Sequence, residues 1–527
     1  MEDEIVEEKL ETEEVEMATV NLNTNKENKK KLKRNIIFNT LYQILTIITP
    51  LLTAPYISRI LQSSGVGIYS YTNSLVTYFT MFAALGTASY GTRTIAMYRD
   101  NKKEYSKAFW EIELITVFTT VFMLAIWLVV AGLYKEYSVY LFILSLTLVS
   151  TLFDISWLYA GLERYEFSVI INTIFKIISI VMIFTMVKSS NDLWIYFVIH
   201  CGATLLGNIS MWVFLPKFIC KTKIEFNRML YHLKNTLVYF IPTIATSIYT
   251  VLDKSLIGIL IQGEVTTIEN GVEVVKKLSD IENGYYEQAT KILNIIKTVA
   301  FASINGVMCS RVSYLYGKND QKGIKKIQDI TLSITTFLSI GAAFGIAAVA
   351  KTFVPLFFGD GYDKTTTILY VMSPIIFIIC ISNVLGSVYY TPCGKRKEST
   401  YYLVAGSVIN LILNIPFIIF FKSVGAAVAS VIAELLISIL YFIFSRKYVY
   451  SLKEFISIIW KKILSGALMF VVVFLVERYL LSNMNAYLSL AIQVVIGGAI
   501  YLIMLLILRD DSIKGLLDFV KSKKRSN

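Results

Sequence analysis

Residues 109–133 read FWEIELITVFTTVFMLAIWLVVAGL, and the joint just before them carries Arg99, Lys102, Lys103 and Lys107. A hydrocarbon core of ~30 Å needs ~20 apolar residues at helical rise, so this run is long enough to cross one. Only a helix satisfies its own backbone inside lipid, so the crossing is helical. Comparable runs lie on both sides of it, about fourteen in all by the ~20-residue criterion. Those of the first half are 36–61, 68–88, 109–133, 137–157, 167–187, 193–215 and 236–261. The second half adds 286–312, 327–350, 367–389, 401–421, 425–444, 464–481 and 488–508.

Basic residues collect in every second joint, and such residues stay on the cytoplasmic side. Lys29, Lys30, Lys31, Lys33 and Arg34 precede the first span, and Arg93 to Lys107 follow the second. Lys217 to Lys234, Lys318 to Lys326, Lys395 to Lys397 and Arg446 to Lys462 continue the ladder, and Lys521 to Arg525 close the chain. The intervening joints offer only Lys135, Lys188, Lys351, Lys364 and Lys422, singly or in pairs. Both termini are therefore expected inside.

Bulk properties agree with a membrane bundle. Hydrophobic residues make up 55% of the chain, and the net charge of +12 fits loops facing an anionic leaflet. No basic-aromatic cluster points to nucleic acid. Cys201, Cys220, Cys309, Cys380 and Cys393 fall in spans or inner joints, so neither a disulfide nor a metal site is expected. The Glu-rich opening has no signal-peptide core. Residues 1–34 read as an unstructured tail, acidic and then basic, with Met17 a second candidate start. The longest outer loop, 262–285, is acidic and too small for a catalytic domain.

The chain also reads as two related halves. Pro55-Tyr-Ile-Ser-Arg59-Ile-Leu ends the first span, and Gly65-Val-Gly-Ile-Tyr69 opens the second. Leu252-Asp-Lys254-Ser-Leu-Ile-Gly258 and Asn283-Gly-Tyr-Tyr286 hold comparable places in the seventh and eighth. Repeats with a site at their interface are a common transporter design.

These motifs resemble the polysaccharide-exporter family of O-antigen and capsule repeat-unit flippases, within the multidrug/oligosaccharidyl-lipid/polysaccharide superfamily. Leu85-Gly-Thr-Ala-Ser-Tyr-Gly-Thr-Arg93, Asp154-Ile-Ser-Trp157-Leu-Tyr-Ala-Gly161-Leu-Glu163 and Asn410-Leu-Ile-Leu-Asn414 before Gly425-Ala-Ala carry it further. Gln62 stands where that family usually has Gly, and the 262–285 loop is longer than usual. The resemblance implies an all-α membrane protein with two pseudo-symmetric six-helix lobes in a V around a central cavity, and two C-terminal helices outside. Lobes at 35–215 and 236–445, a cytoplasmic linker at 216–235, the last two helices within 446–508 and a basic tail at 509–527 follow from it.

By the same resemblance the protein moves undecaprenyl-diphosphate-linked oligosaccharide repeat units across the bacterial cytoplasmic membrane by alternating access. It acts without cofactor or metal, beside a polysaccharide polymerase and glycosyltransferases, and H⁺ or Na⁺ is the expected coupling ion. Rival readings are a lipid-linked peptidoglycan precursor flippase, a drug/cation antiporter, and a membrane polymerase or transferase. An antiporter would centre its cavity on carboxylates, and an enzyme would carry a large outer domain or an acidic metal motif.

A diphosphate entering the bilayer needs a polar, cation-bearing cavity. Ionisable groups inside spans are costly and mark such pathways. Arg59, Lys176, Lys254, Lys291 and Lys297 are thus the candidate anion-binding residues, with Asn39, Gln43 and Asn172 for the sugar. Asp253, Glu287, Glu434, Asp154 and His200 are candidates for ion coupling. Against these stand structural roles: Arg59 snorkelling to the interface, Lys254 neutralised by Asp253, and Lys291 by Glu287 one turn earlier.

Overall fold

Gln62 and Lys422 both have φ of 57°, a left-handed conformation that breaks a helix, and each divides one long helical segment in two. At such a φ Gln62 bears a Cβ penalty that glycine would not. Its side chain compensates by accepting a 2.8 Å hydrogen bond from Lys276 Nζ, which glycine could not do.

The computed structural model describes residues 2–269, 272–446 and 449–513. The first half comprises α1 (Glu2–Ala84), α2 (Thr87–Met97), α3 (Lys102–Leu133), α4 (Ser138–Leu152), α5 (Ser156–Gly161), α6 (Tyr165–Met186), α7 (Leu193–Trp212) and α8 (Leu215–Phe218). The second half opens with α9 (Phe226–Leu260), β1 (Glu264–Glu269) and β2 (Val272–Lys277). It continues with α10 (Leu278–Gly317), α11 (Gln321–Phe358), α12 (Asp363–Leu385), α13 (Arg396–Ser445), α14 (Leu452–Val476) and α15 (Ala486–Ile507).

Among the described residues ten helices are long and apolar enough to cross a membrane, or eleven if the bent pair in α10 is one span. The reading of about fourteen from the ~20-residue rule differs in α9, α10 and the two kinked helices, each of which it takes as two spans. Burial is inverted, as lipid exposure demands. Phe118, Phe122 and Val129 of α3 face outward, while Glu111, Glu113, Thr116 and Thr120 of the same helix are buried.

Two further expectations need correction. The opening expected to lack structure is helical from Glu2, continuous with α1, which suits its Glu, Lys and Leu content. The acidic loop expected over 262–285 instead forms an antiparallel hairpin, from Glu264↔Lys277 to Glu269↔Val272, and α10 starts at Leu278. Asn270-Gly271 between two β-branched runs is the signal that could have found it.

Each half has its own core. Ile57, Leu61, Tyr69, Trp127, Leu141 and Phe197 pack the first, and Ile257, Tyr286, Leu293, Phe358, Ile368 and Ile376 the second. The halves meet most closely where α1 passes α10. A Cβ on Gly67 would lie 1.6 Å from the Asp280 carbonyl oxygen, and one on Gly284 1.9 Å from that of Ser63. Backbones touch there, at the end that carries the hairpin. The last two helices pack on α11, through Met469, Val473, Tyr501 and Leu505 against Ala348.

Candidate functional site

Below that contact a cavity of about 720 Å³ lies against the first half. Helical spacing builds its walls. On α6, Asn172, Lys176, Ser179 and Ile183 share one face, and on α7 Tyr196, His200, Thr204 and Asn208 do the same. The first limb of α1 contributes Thr49, Pro50 and Thr53, and the second limb Tyr69 and Asn73. Asp154 and Ser156 line it between α4 and α5, and Glu287 and Lys291 enter from α10. The α1 hydroxyls are satisfied within their helix, since Thr49 and Thr53 donate to the carbonyls of Leu45 and Thr49.

The charge pattern centres on Glu287. Lys254 Nζ lies 2.6 Å from its Oε2 and Lys291 Nζ 3.5 Å from its Oε1, while Ser70 Oγ donates to Oε2 at 3.0 Å. One carboxylate thereby ties α9, α10 and α1. Lys254 pairs with Glu287, not with its sequence neighbour Asp253. Asp253 is buried away from the cavity and accepts from Tyr286 Oη, Ser430 Oγ and, at 2.7 Å, Asn414 Nδ2. Every donor around it comes from the second half.

The structure thus brings Lys176, Lys291, Asn172, Asp154, His200 and Glu287 to one cavity, with Lys254 just behind Glu287. Asp154 also has a local task, because its Oδ1 accepts from Ser156 N at 3.1 Å at the start of α5. Other candidates lie elsewhere. Arg59 is exposed, and its guanidinium donates to the carbonyls of Leu356 at 2.6 Å and Phe357 at 3.1 Å. Those groups are orphan acceptors in the last turn of α11, where the helix dipole favours a cation. Arg59 is therefore a tie between the halves at the hairpin end, not a wall of the cavity. Lys297 is half-buried, with Glu434 and Lys254 as charged neighbours, and Gln43 is half-buried on α1 outside the lining. The side chain of Asn39 lies outside the described residues.

Residues that sequence reading passed over form a second polar cluster, at the end carrying the basic joints. His232 is buried between α2, α3 and α9, with Tyr90 Oη 2.6 Å from Nδ1 and Glu111 Oε2 3.2 Å from Nε2. Arg228 Nε reaches the same Glu111 oxygen at 3.1 Å. His232 precedes the span read from 236. Burial and the repulsion of Arg228 hold its imidazole down, at about 4. The neutral ring suits the geometry, donating from Nε2 to Glu111 while Nδ1 accepts from Tyr90. Glu113, also on α3, is buried with neither oxygen hydrogen-bonded. Glu113 had a signal, an ionisable residue inside the span read at 109–133, whereas His232 sits among polar residues just before a span and had none.

Residues 32–309, more than half of the 527-residue chain, match a family described as polysaccharide biosynthesis protein. The chain belongs to this family. A second profile, MatE, matches residues 273–415. A relative from Escherichia coli (strain K12), described as "Putative O-antigen transporter", is 26% identical over 80% of this chain and 98% of its own length. One of the same description from Shigella dysenteriae is 23% identical over 77% and 98%. A lipid II flippase, MurJ, in an inward closed conformation superposes with a TM-score of 0.68 at 18% identity, covering 91% of this chain and 99% of its own. An inward-facing multidrug MATE transporter gives 0.54 at 10% identity, covering 77% and 94%. At these identities the two structures establish the shared all-helical fold of a multi-pass membrane protein.

Proposed function

We propose that this polysaccharide biosynthesis protein is a non-enzymatic flippase. It would carry undecaprenyl-diphosphate-linked oligosaccharide repeat units across the bacterial cytoplasmic membrane, with both termini inside. The observation carrying the reading is the lysine-bearing cavity of about 720 Å³, closed off where α1 meets α10. Lys176 and Lys291 would meet the diphosphate as mobile point charges, and Asn172, Asn73 and Asn208 would meet the sugar. The isoprenoid stays in the bilayer, so only the polar part needs shelter. The described O-antigen function of the two relatives supports the glycan class. Lys176 and Lys291 in the lining favour an anionic cargo over the organic cation of an antiporter.

Alternating access then requires α1 and α10 to part at the hairpin end while the basic end closes. Asp253 would couple this to H⁺ or Na⁺. From α9 it meets four hydroxyl and amide neighbours, Tyr286 on α10 and Ser430, Asn414 and Asn410 on the two limbs of α13, whose spacing must change if the second half bends.

Deleting the gene tests the reading. Repeat units should accumulate on the cytoplasmic leaflet and surface polysaccharide should be lost, because a sugar-bearing diphosphate cannot cross ~30 Å of hydrocarbon unaided. An impermeant sugar-oxidising reagent reads the leaflet. Repeat units found outside in the deletion strain, with no second flippase gene present, would reject the function and favour a polymerase.

A further inference from the structure

Two arginines from opposite halves converge on one phenol at the basic end. Arg93, on α2, donates from Nη1 to Tyr239 Oη on α9. Arg396, the first residue of α13, places its guanidinium carbon 5.9 Å from the centre of the same ring. Both guanidinium groups are exposed. Lys395 stands beside them, its Nζ 5.5 Å from the Tyr389 ring.

Among the described residues neither arginine has a carboxylate partner, whereas three other arginines do. Arg99 has Glu163 at 2.6 Å, Arg164 has Glu166 at 3.5 Å, and Arg228 has both Glu104 and Glu111. Among the described residues Arg93 and Arg396 make no such ion pair. Like charges brought together without a counter-charge repel, and that repulsion is relieved when an anion joins them. A guanidinium presents a planar fork that holds phosphate oxygens bidentately, and two forks match two phosphoryl groups. The pair also spans the gap between the halves, so an occupant would replace the Arg93–Tyr239 contact that now bridges them.

We propose that Arg93 and Arg396 form a docking site for an isoprenoid-borne diphosphate at the inner mouth, separate from the lysines of the cavity. This rests on the flippase reading, which places the substrate's anionic group at the inner leaflet beside this mouth. The anion would dock first between the two forks. It would then pass to Lys176 and Lys291, leaving Arg93 free to return to Tyr239 behind it.

The test uses the full-length protein in neutral-lipid nanodiscs, with farnesyl diphosphate and inorganic pyrophosphate as probes. A Lys176→Ala/Lys291→Ala background isolates the mouth. Farnesyl diphosphate should still bind there, and adding Arg93→Gln and Arg396→Gln should weaken it about tenfold or more, the loss of charge-assisted bonds. Arg93→Lys and Arg396→Lys should recover part of the affinity. Both positions are exposed, so thermal unfolding should be unchanged. Unaltered affinity in the arginine variants, or no binding once the lysines are gone, would overturn the site. Equal affinity for pyrophosphate would overturn the lipid-borne source in favour of a soluble diphosphate. The leaflet assay stays independent: probe binding that needs the arginines, with normal export in the deletion strain, would sink the flippase reading and leave the anion site standing.

Discussion

Glu287 holds Lys254 at 2.6 Å and Lys291 at 3.5 Å, whereas Lys176 faces the cavity from α6. The lysines should therefore differ in what their loss does. Lys176→Ala should reduce glycan export with near-normal protein in the membrane. Glu287→Gln should destabilise the protein by about 2 kcal/mol, because it strands two half-buried ammonium groups. Adding Lys254→Met to it should recover stability, read as Tm in detergent, without recovering export. Full export from Lys176→Ala and Lys291→Ala together would remove the cavity from the mechanism. His232 gives a pH signature of its own. Its folded-state value of about 4 lies below the ordinary ~6.5, so the unfolded chain binds the extra proton between them. Its contribution is complete above ~6.5 and is lost as pH falls toward 4. Tm of the wild type should fall between pH 7 and pH 5, and His232→Gln should flatten that fall. Equal slopes would show that other groups govern acid lability.

At the scale of elements, the α1–α10 crossing is set by Gly67 and Gly284, which let backbones meet with no side chain between them. Gly284→Ala puts a methyl 1.9 Å from the Ser63 carbonyl oxygen, so the outer ends cannot close as they do here. A cysteine replacing Thr53 in the cavity should then react with an impermeant thiol reagent added outside, and should be protected when Gly284 is intact. Protection in both would mean that this crossing is not the outer closure. The hairpin acts on the same contact. Lys276 reaches Gln62 and Lys277 reaches Glu136, so the hairpin ties the second half to the first at the end where α1 meets α10. Arg59 adds a third tie, at the end of α11.

For the whole molecule, direction rests on the alternation of basic joints. Single cysteines at Asp360 and Asn270 should be labelled from outside by an impermeant reagent, while those at Lys103 and Lys322 should not. Outside labelling at Lys103 would reverse the orientation and the direction of transport. It would also move the Arg93–Arg396 mouth to the wrong leaflet for substrate entry.

The all-helical membrane class was legible in the sequence because it depends on composition along one dimension, the length of apolar runs, whereas the number of spans was not. The family motifs were legible for the same reason. Position inside a span singled out Lys176 and His200, and the structure sets both in the lining of one cavity. Which neighbour each charge would meet was not. Lys254 stands next to Asp253 in the chain, yet successive residues on a helix point about 100° apart, and its partner is Glu287 on α10. Arg59 has the same ionisable character as the cavity lysines, but the end of α11 brings two orphan carbonyls within its reach. His232, Tyr90 and Glu111 come from three helices and acquire meaning only when packed together. Pairings between helices depend on crossing angles and close glycine contacts in three dimensions, and those only the tertiary structure decided.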